Sequence, residues 1–87
     1  MVSKEFTIND ELGMHMRPAS LLSQMAAKYQ SNVTVKYNGK DFNAKSVMLL
    51  MTALIKYGSV IEVVCDGPDE EEALAAIGEF IDSGMGD

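Results

Sequence analysis

The chain has 87 residues and a mass of 9.5 kDa, with 47% hydrophobic residues and a formal net charge of −6 at pH 7. This length suits one small domain over residues 1–87, and the composition is too apolar for a disordered chain. The net acidity argues against nucleic acid as a partner. One cysteine excludes an internal disulfide, and the first residues lack the apolar stretch of a signal peptide, so we expect a cytoplasmic protein without membrane insertion.

The charge is distributed unevenly along the chain. Residues 12–58 carry six Lys and Arg residues against Asp41 alone, whereas residues 59–87 carry nine carboxylates and no Lys or Arg. This pattern favours steering of an acidic partner toward the central region. Solvated faces of uneven composition would produce the same pattern.

Periodicity predicts seven elements in the order βαββαβα. Alternating polarity indicates strands, apolar residues at helical spacing indicate helices, and Asn38-Gly39 is typical of a two-residue type I′ hairpin turn. The hairpin requires an antiparallel component, and three amphipathic helices against one sheet form a two-layer α+β sandwich. The predicted strands cover residues 2–8, 33–37, 40–44 and 60–65, and the predicted helices cover residues 16–29, 47–57 and 70–83.

Polar residues and glycines mark the ends of the two later helices. Ser46 is predicted to cap the second helix, with Gly58 as its stop. Asp69 is predicted to cap the third helix, with Glu72 as its capping-box partner and Gly84 at its end. The spacing predicts the buried stripe of the third helix as Leu74, Ile77, Phe80 and Ile81.

The segment LGMHMRPAS, residues 12–20, combines residue types that suit phosphate chemistry. Pro18 fits the first turn of a helix, which places His15 at or beside the N-cap. The backbone N–H groups of Met16 and Arg17 would then form an anion site, and the Arg17 guanidinium can hold phosphate oxygens. The helix dipole favours a neutral imidazole, so the segment predicts a histidine that accepts a phosphoryl group.

By itself, a single histidine at a helix start is more often structural, and that alternative stays open on these residues alone. The sequence has few side chains that could form a nucleophilic triad or a metal site. The only cysteine, Cys65, falls in a predicted interior strand, so a nucleophilic triad lacks members. A metal site lacks ligands for the same reason, and we expect neither a metal nor a cofactor.

The helix after Ser46 is apolar at nearly every position. So small a domain cannot bury every side of it, which predicts an exposed patch that docks a partner; the alternative is a helix covered by packing or self-association. A phosphate on Ser46 would switch docking, or Ser46 serves only as a cap. The residues predicted to face the sheet are Val47, Leu50, Met51 and Leu54, and those predicted to be exposed are Met48 and Leu49.

The chain resembles the HPr family, the histidine-containing phosphocarriers of the bacterial phosphoenolpyruvate-dependent phosphotransferase system. The resemblance rests on GMHMRPAS around His15, the Asn38-Gly39 hairpin, KSVMLLM from Lys45 and DGPDEEEAL from Asp66, and it covers nearly the whole chain. It implies an open-faced β-sandwich with a four-stranded antiparallel sheet and three helices on one face. It also implies a carrier rather than an enzyme: enzyme I would phosphorylate Nδ1 of His15, and the IIA components of sugar transport would receive the group.

The resemblance also implies roles for other residues. Arg17 would stabilise the phosphate, and Ser46 would be the serine that an ATP-dependent HPr kinase/phosphorylase modifies, with a catabolite-control transcription regulator as a further partner. The docking surface would comprise Val47, Met48 and Met51, to which the apolar patch adds Leu49. The departures from the usual family pattern are Met16 in place of Ala, and Leu49 and Leu54 in place of the Gly of many members.

Three other functions stay open on the sequence. A carrier of the nitrogen-related branch, to which the second helix is also similar, would use the same histidine with different partners. A regulatory binding module would use the apolar helix and carry no phosphohistidine. A small hydrolase of the acylphosphatase kind would also hold phosphate with an arginine, but it would need a residue to position water, and the sequence offers no convincing one.

Overall fold

The computed structural model describes residues 1–85 and contains one four-stranded antiparallel sheet and three helices in the predicted order. The α+β open-faced sandwich is therefore confirmed, and each strand boundary lies within one residue of its prediction. No helix in residues 1–85 is long and apolar enough to cross a membrane. The elements are β1 (Val2–Thr7), α1 (Met16–Ala27), β2 (Asn32–Tyr37), β3 (Lys40–Asn43), α2 (Val47–Thr52), β4 (Val60–Asp66) and α3 (Glu70–Asp82).

The strands lie in the order β1-β4-β2-β3, so the last strand in the chain is an inner strand of the sheet. Val35 of β2 lies opposite Val63 of β4, and both are fully buried beneath the helices. Their neighbours Lys36 and Glu62 lie opposite each other on the uncovered face. Alternation along the inner strands thus separates a core face from an open face.

The hairpin between β2 and β3 has the predicted turn. Tyr37 pairs with Lys40, and the two residues between them have positive φ, 55° at Asn38 and 78° at Gly39. Positive φ at both positions defines the type I′ turn, whose twist matches that of the strands.

Helix α2 ends at Thr52, five residues before the predicted end near Tyr57. The N–H groups of Ala53 and Leu54 donate to carbonyls three residues back, and Leu54 then turns to a φ of 55°. This reversal brings Ile55 into the core, which is the physical reason for the early end.

Two further predictions about this region are wrong. Leu54 does not face the sheet, because 72% of it is exposed. Gly58 does not stop the helix: it lies in a later turn, with a φ of 82°, and its N–H donates to the Ile8 carbonyl at 2.8 Å.

The first and third helices depart less from their predictions. Helix α1 ends at Ala27, two residues early, and the N–H groups of Lys28 and Tyr29 donate to carbonyls three residues back. In α3, Ile77 and Ile81 are fully buried as predicted, whereas Leu74 and Phe80 are only partly buried. Ala73 and Gly78 share the buried face, where a Cβ on Gly78 would lie 2.8 Å from Phe6 Cζ.

The predicted capping box of α3 is wrong. Asp69 occupies the N-cap, but its carboxylate accepts hydrogen bonds from Gln30 N and Ser31 N, each at 2.9 Å, and from Ser31 Oγ. It therefore ties α3 to the α1–β2 turn instead of pairing with Glu72. The hydrogen bond from the Ser31 hydroxyl, followed by those from the backbone, holds the pKa of Asp69 below its usual range.

We expect Ser31→Ala to lower the free energy of unfolding at neutral pH, because a buried hydroxyl loses its bond to the Asp69 carboxylate. The pKa of Asp69 is lower in the folded protein than in the unfolded chain. The hydrogen bonds to Asp69 therefore stabilise the fold fully at pH values above the pKa of the unfolded chain. This stabilisation is lost as the pH falls through the pKa of the folded protein. The difference between wild type and variant should therefore shrink in acid. Urea unfolding across pH measures it, with exposed Ser3→Ala as control, and a pH-independent difference would contradict the prediction.

Candidate functional site

His15 is the N-cap residue of α1, as the sequence predicts. Its backbone is extended, with φ −105° and ψ −173°, and its carbonyl accepts the N–H of Ala19 at 3.0 Å. Pro18 is fully buried in the first turn, where a missing N–H costs nothing. The imidazole therefore stands directly at the opening of the helix.

The two ring nitrogens of His15 have different surroundings. Nε2 is buried and lies 3.6 Å from Oδ2 of Asp10, which is longer than a hydrogen bond but close for two charges. The side chain as a whole is 32% exposed, so the exposed part of the ring lies away from Nε2.

Asp10 is a site residue that the sequence analysis missed. Its carboxylate is almost fully buried, and Oδ1 accepts the N–H of Leu12 at 2.9 Å while its carbonyl accepts the N–H of Gly13 at 2.8 Å. These bonds hold the acidic side chain beneath the imidazole. The available sequence signal was weak: an aspartate in a turn, five residues before the histidine.

Met16 and Arg17 form the first turn of α1 with exposed side chains. The first N–H groups of a helix have no acceptor within the helix and point out of its N-terminal end. The structure thus places the predicted imidazole at the helix start and the predicted residues Met16 and Arg17 in the turn that follows it. Such an arrangement can receive an anion beside the ring.

The loop before His15 packs against the loop that follows α2. The N–H of Met14 donates to the carbonyl of Ile55 at 2.9 Å, which joins the β1–α1 loop to the α2–β4 loop. Gly13 has a φ of 68°, and a Cβ on it would lie 2.5 Å from Ile55 O and 2.9 Å from Lys56 Cα. Only glycine satisfies both the backbone conformation and this close approach.

Ser46 caps α2, as predicted. Its Oγ accepts the N–H of Leu49 at 3.2 Å. The preceding residue connects this helix start to α1 and to the turn after it. The carbonyl of Lys45 accepts the hydroxyl of Ser23 in α1 at 2.8 Å, and Lys45 Nζ donates to Tyr29 O in the turn at 2.9 Å. Ser46 itself is half-buried at this corner.

The apolar patch of α2 is partly as predicted. Met48 and Leu49 are exposed, 76% and 44%, and Leu50 is fully buried. Val47 and Met51 are half-buried against the core. Exposed Met16, the first residue of α1, and exposed Leu54, in the α2–β4 loop, add further apolar surface.

Other site chemistries have little support in residues 1–85. Burial raises the pKa of the Cys65 thiol, which opposes formation of a nucleophilic thiolate. Within the same residues, His, Cys, Asp and Glu side chains form no group of three that could hold a metal ion.

Comparisons with known proteins agree on one family. Residues 2–83 match the family described as the PTS HPr component phosphorylation site. An HPr from Thermoanaerobacter tengcongensis is 37% identical with a TM-score of 0.96, over 100% of this chain and 98% of that one. The histidine-containing phosphocarrier protein of Mycoplasma is 39% identical with a TM-score of 0.91, over 97% of each chain. The Bacillus subtilis catabolite-repression protein Crh, a domain-swapped dimer, is 32% identical with a TM-score of 0.78, over 95% of each chain.

We expect Gly13→Ala to lower the free energy of unfolding by about 2–4 kcal/mol, because a Cβ there adds backbone strain and overlaps the Ile55 carbonyl. Gly39→Ala is the matched control, since Gly39 also has a positive φ but no atom within 4 Å of its Cβ position. Urea unfolding gives the loss of free energy in each variant, and the difference between the two losses measures the effect of the close approach at Gly13. Equal losses in the two would show that the loop contact contributes nothing.

Proposed function

The chain belongs to the HPr family of phosphotransferase-system phosphocarriers, and from this premise we propose that it carries its phosphoryl group on His15. In this proposal phosphorylated enzyme I delivers the group, which originates from phosphoenolpyruvate, and the IIA components of sugar transport receive it. The protein is a covalent intermediate between enzymes rather than an enzyme. Residues 1–87 act as one domain in the cytoplasm.

The observation that carries the proposal is the partly exposed imidazole at the start of α1. Because Nε2 is buried against Asp10, we assign the transfer to the other ring nitrogen, Nδ1. This supports Nδ1 of His15 as the acceptor atom. An in-line transfer then moves the group between the donor's phosphohistidine and Nδ1.

The residues after His15 stabilise the negative charge of the phosphoryl group. The first-turn N–H groups of Met16 and Arg17, with the Arg17 guanidinium, stabilise its oxygens as they arrive. Because Met16 and Arg17 are exposed, this stabilisation stays moderate and the group can leave again. A carrier needs both properties.

Asp10 stabilises the phosphorylated form. Once Nδ1 carries the phosphoryl group, the proton of the ring resides on Nε2, where a positive charge faces the Asp10 carboxylate at 3.6 Å. Opposite charges attract strongly at this distance when both lie out of water. Asp10 also favours the ring orientation in which Nε2 faces its carboxylate.

Docking uses the exposed side of α2, with Val47, Met48, Leu49 and Met51 as contacts. Methionine and leucine adapt to several partner surfaces, which suits transient binding to enzyme I and to IIA components. The basic residues of segment 12–58 attract acidic partners over longer distances.

Ser46 is the proposed regulatory position, modified by an HPr kinase/phosphorylase and read by a catabolite-control transcription regulator. Its hydroxyl borders the docking patch, so a phosphate would place negative charge at the interface. The phosphate would also sit at a helix N-terminus beside Lys45, which favours its formation.

A regulatory binding module is the second candidate, supported by the similarity to Crh, a protein of catabolite repression. Such a module docks through α2 without phosphoryl transfer. Retention of His15 at an open helix start favours the carrier. A carrier of the nitrogen-related branch would share the same histidine chemistry and differ only in its acceptors.

We expect His15→Ala to abolish phosphoryl uptake from enzyme I and phosphoenolpyruvate, and Arg17→Gln to lower the transfer rate about 10- to 100-fold by removing one anion-stabilising group. The amount of acid-labile phosphate bound to the protein measures uptake, and a time course of its transfer measures the rate. Circular dichroism checks that the variants are folded. Normal labelling of folded His15→Ala would eliminate the histidine from the mechanism.

We expect Ser46→Asp to raise the KM for enzyme I about five- to tenfold at low salt, because the added charge repels an acidic partner. Ser46→Ala removes the cap without adding charge, and Ser3→Asp adds the same charge to the exposed β1 strand. Neither control should raise the KM. Equal KM values for Ser46→Asp and wild type at low salt would refute regulation by charge.

A further inference from the structure

A groove runs along one edge of the sheet, between strand β1 and helix α3. Its floor is apolar and consists of Val2 and Phe6 from the strand and of Leu74, Ala75 and Gly78 from the helix. None of these residues belongs to the phosphorylation site or to the apolar patch of α2. The groove is therefore a separate surface of the molecule.

The rim of the groove on the α3 side is acidic. Glu71, Glu79 and Asp82 line it with exposed side chains, and α3 contains no Lys or Arg that could neutralise them. None of the three carboxylates forms an ion pair within residues 1–85. Lys4 is the only cation among the described lining residues, and its Nζ lies over the Phe6 ring, 5.5 Å from the centroid. The excess of negative charge favours a cationic occupant.

Strand β1 lies at an edge of the sheet, and β4 is the only strand of residues 1–85 that pairs with it. Ile8, directly after β1, directs its N–H and its carbonyl toward β4, where both form backbone hydrogen bonds of 2.8 Å with the turn that precedes β4. Successive residues of a strand direct these groups to opposite sides, so Ser3, Glu5 and Thr7 direct theirs away from the sheet. Such an edge can accept another extended chain as a further strand.

Charge decides between a second copy of this chain and a different protein as the occupant of the edge. Two copies paired through β1 would bring the carboxylates of two α3 helices toward each other, and each chain has a formal net charge of −6. Like charges that face each other across an interface oppose binding. A basic segment of another protein would meet opposite charge instead.

We infer that the outer edge of β1 and the adjacent groove bind an extended, basic segment of a partner protein. The segment adds a fifth strand to the sheet through backbone hydrogen bonds to Ser3, Glu5 and Thr7. Side chains alternate between the two faces of a strand, so every second residue of the segment enters the groove. Apolar side chains there contact Phe6, and Lys or Arg side chains contact rim carboxylates such as Glu79.

A synthetic peptide tests this site on the full chain. The probe is the capped peptide TVTKTVTK, which as a strand presents Val and Lys on one face and Thr on the other; TVTETVTE is its acidic counterpart. NMR titration gives the Kd, and amide hydrogen exchange locates the bound peptide. We expect the basic peptide to slow exchange at Ser3, Glu5 and Thr7, and the acidic peptide to bind at least about tenfold more weakly.

Two pairs of variants separate the groove from general charge attraction. Glu79→Lys should raise the Kd of the basic peptide about five- to tenfold more than Glu72→Lys, because both change the net charge equally but Glu72 does not line the groove. Glu5→Pro removes an outward N–H that bonds to no strand of the sheet. Its Kd should rise at least about fivefold relative to Glu5→Ala, with the fold retained in urea unfolding.

Several outcomes would overturn the inference: no binding of the basic peptide, equal effects within either pair of variants, or exchange protection away from β1 and α3. Sedimentation that shows a dimer dissociated by Glu5→Pro would also overturn it, since a second copy would then occupy the edge. If Glu5→Pro does not fold, the comparison of Glu79→Lys with Glu72→Lys decides.

Discussion

The contact between the loop before α1 and the loop after α2 is the constraint on which the site depends. Gly13 approaches the backbone of residues 55 and 56 so closely that no side chain fits there, and the neighbouring Met14–Ile55 hydrogen bond fixes the pairing of the loops. His15 follows two residues after Gly13, so this backbone packing fixes the position of its main chain. Functional residues often lie on loops that a rigid scaffold positions in this way.

This arrangement reconciles two requirements of a phosphocarrier. The imidazole must be oriented well enough to react, and the phosphoryl group must remain accessible to the next protein. In the proposed function, Asp10 meets the first requirement from the buried side of the ring, and the exposed first turn of α1 meets the second. A deeper pocket would hold the group more strongly but would slow its release.

Much of the fold could be predicted because its determinants are local. Alternating residues such as Val33 and Val35 define strands, the Asn38-Gly39 pair defines a turn, and Pro18 marks a helix start next to His15. The predictions that were wrong depend on contacts between residues distant in the sequence. The end of α2 depends on burial of Ile55, and the partners of Asp69 lie 38 and 39 residues away. Asp10 became part of the site only when folding placed it under the ring.

The strand order has a consequence for how the protein folds during synthesis. Because β4 lies between β1 and β2, the first 59 residues hold three of the four strands but not the one that joins β1 to the hairpin. Most sheet pairing must wait until the final third of the chain leaves the ribosome. Pairings that are distant in sequence form slowly, so the nascent chain passes through a period with exposed strand edges. The uncovered charged face of the sheet would reduce aggregation during that period.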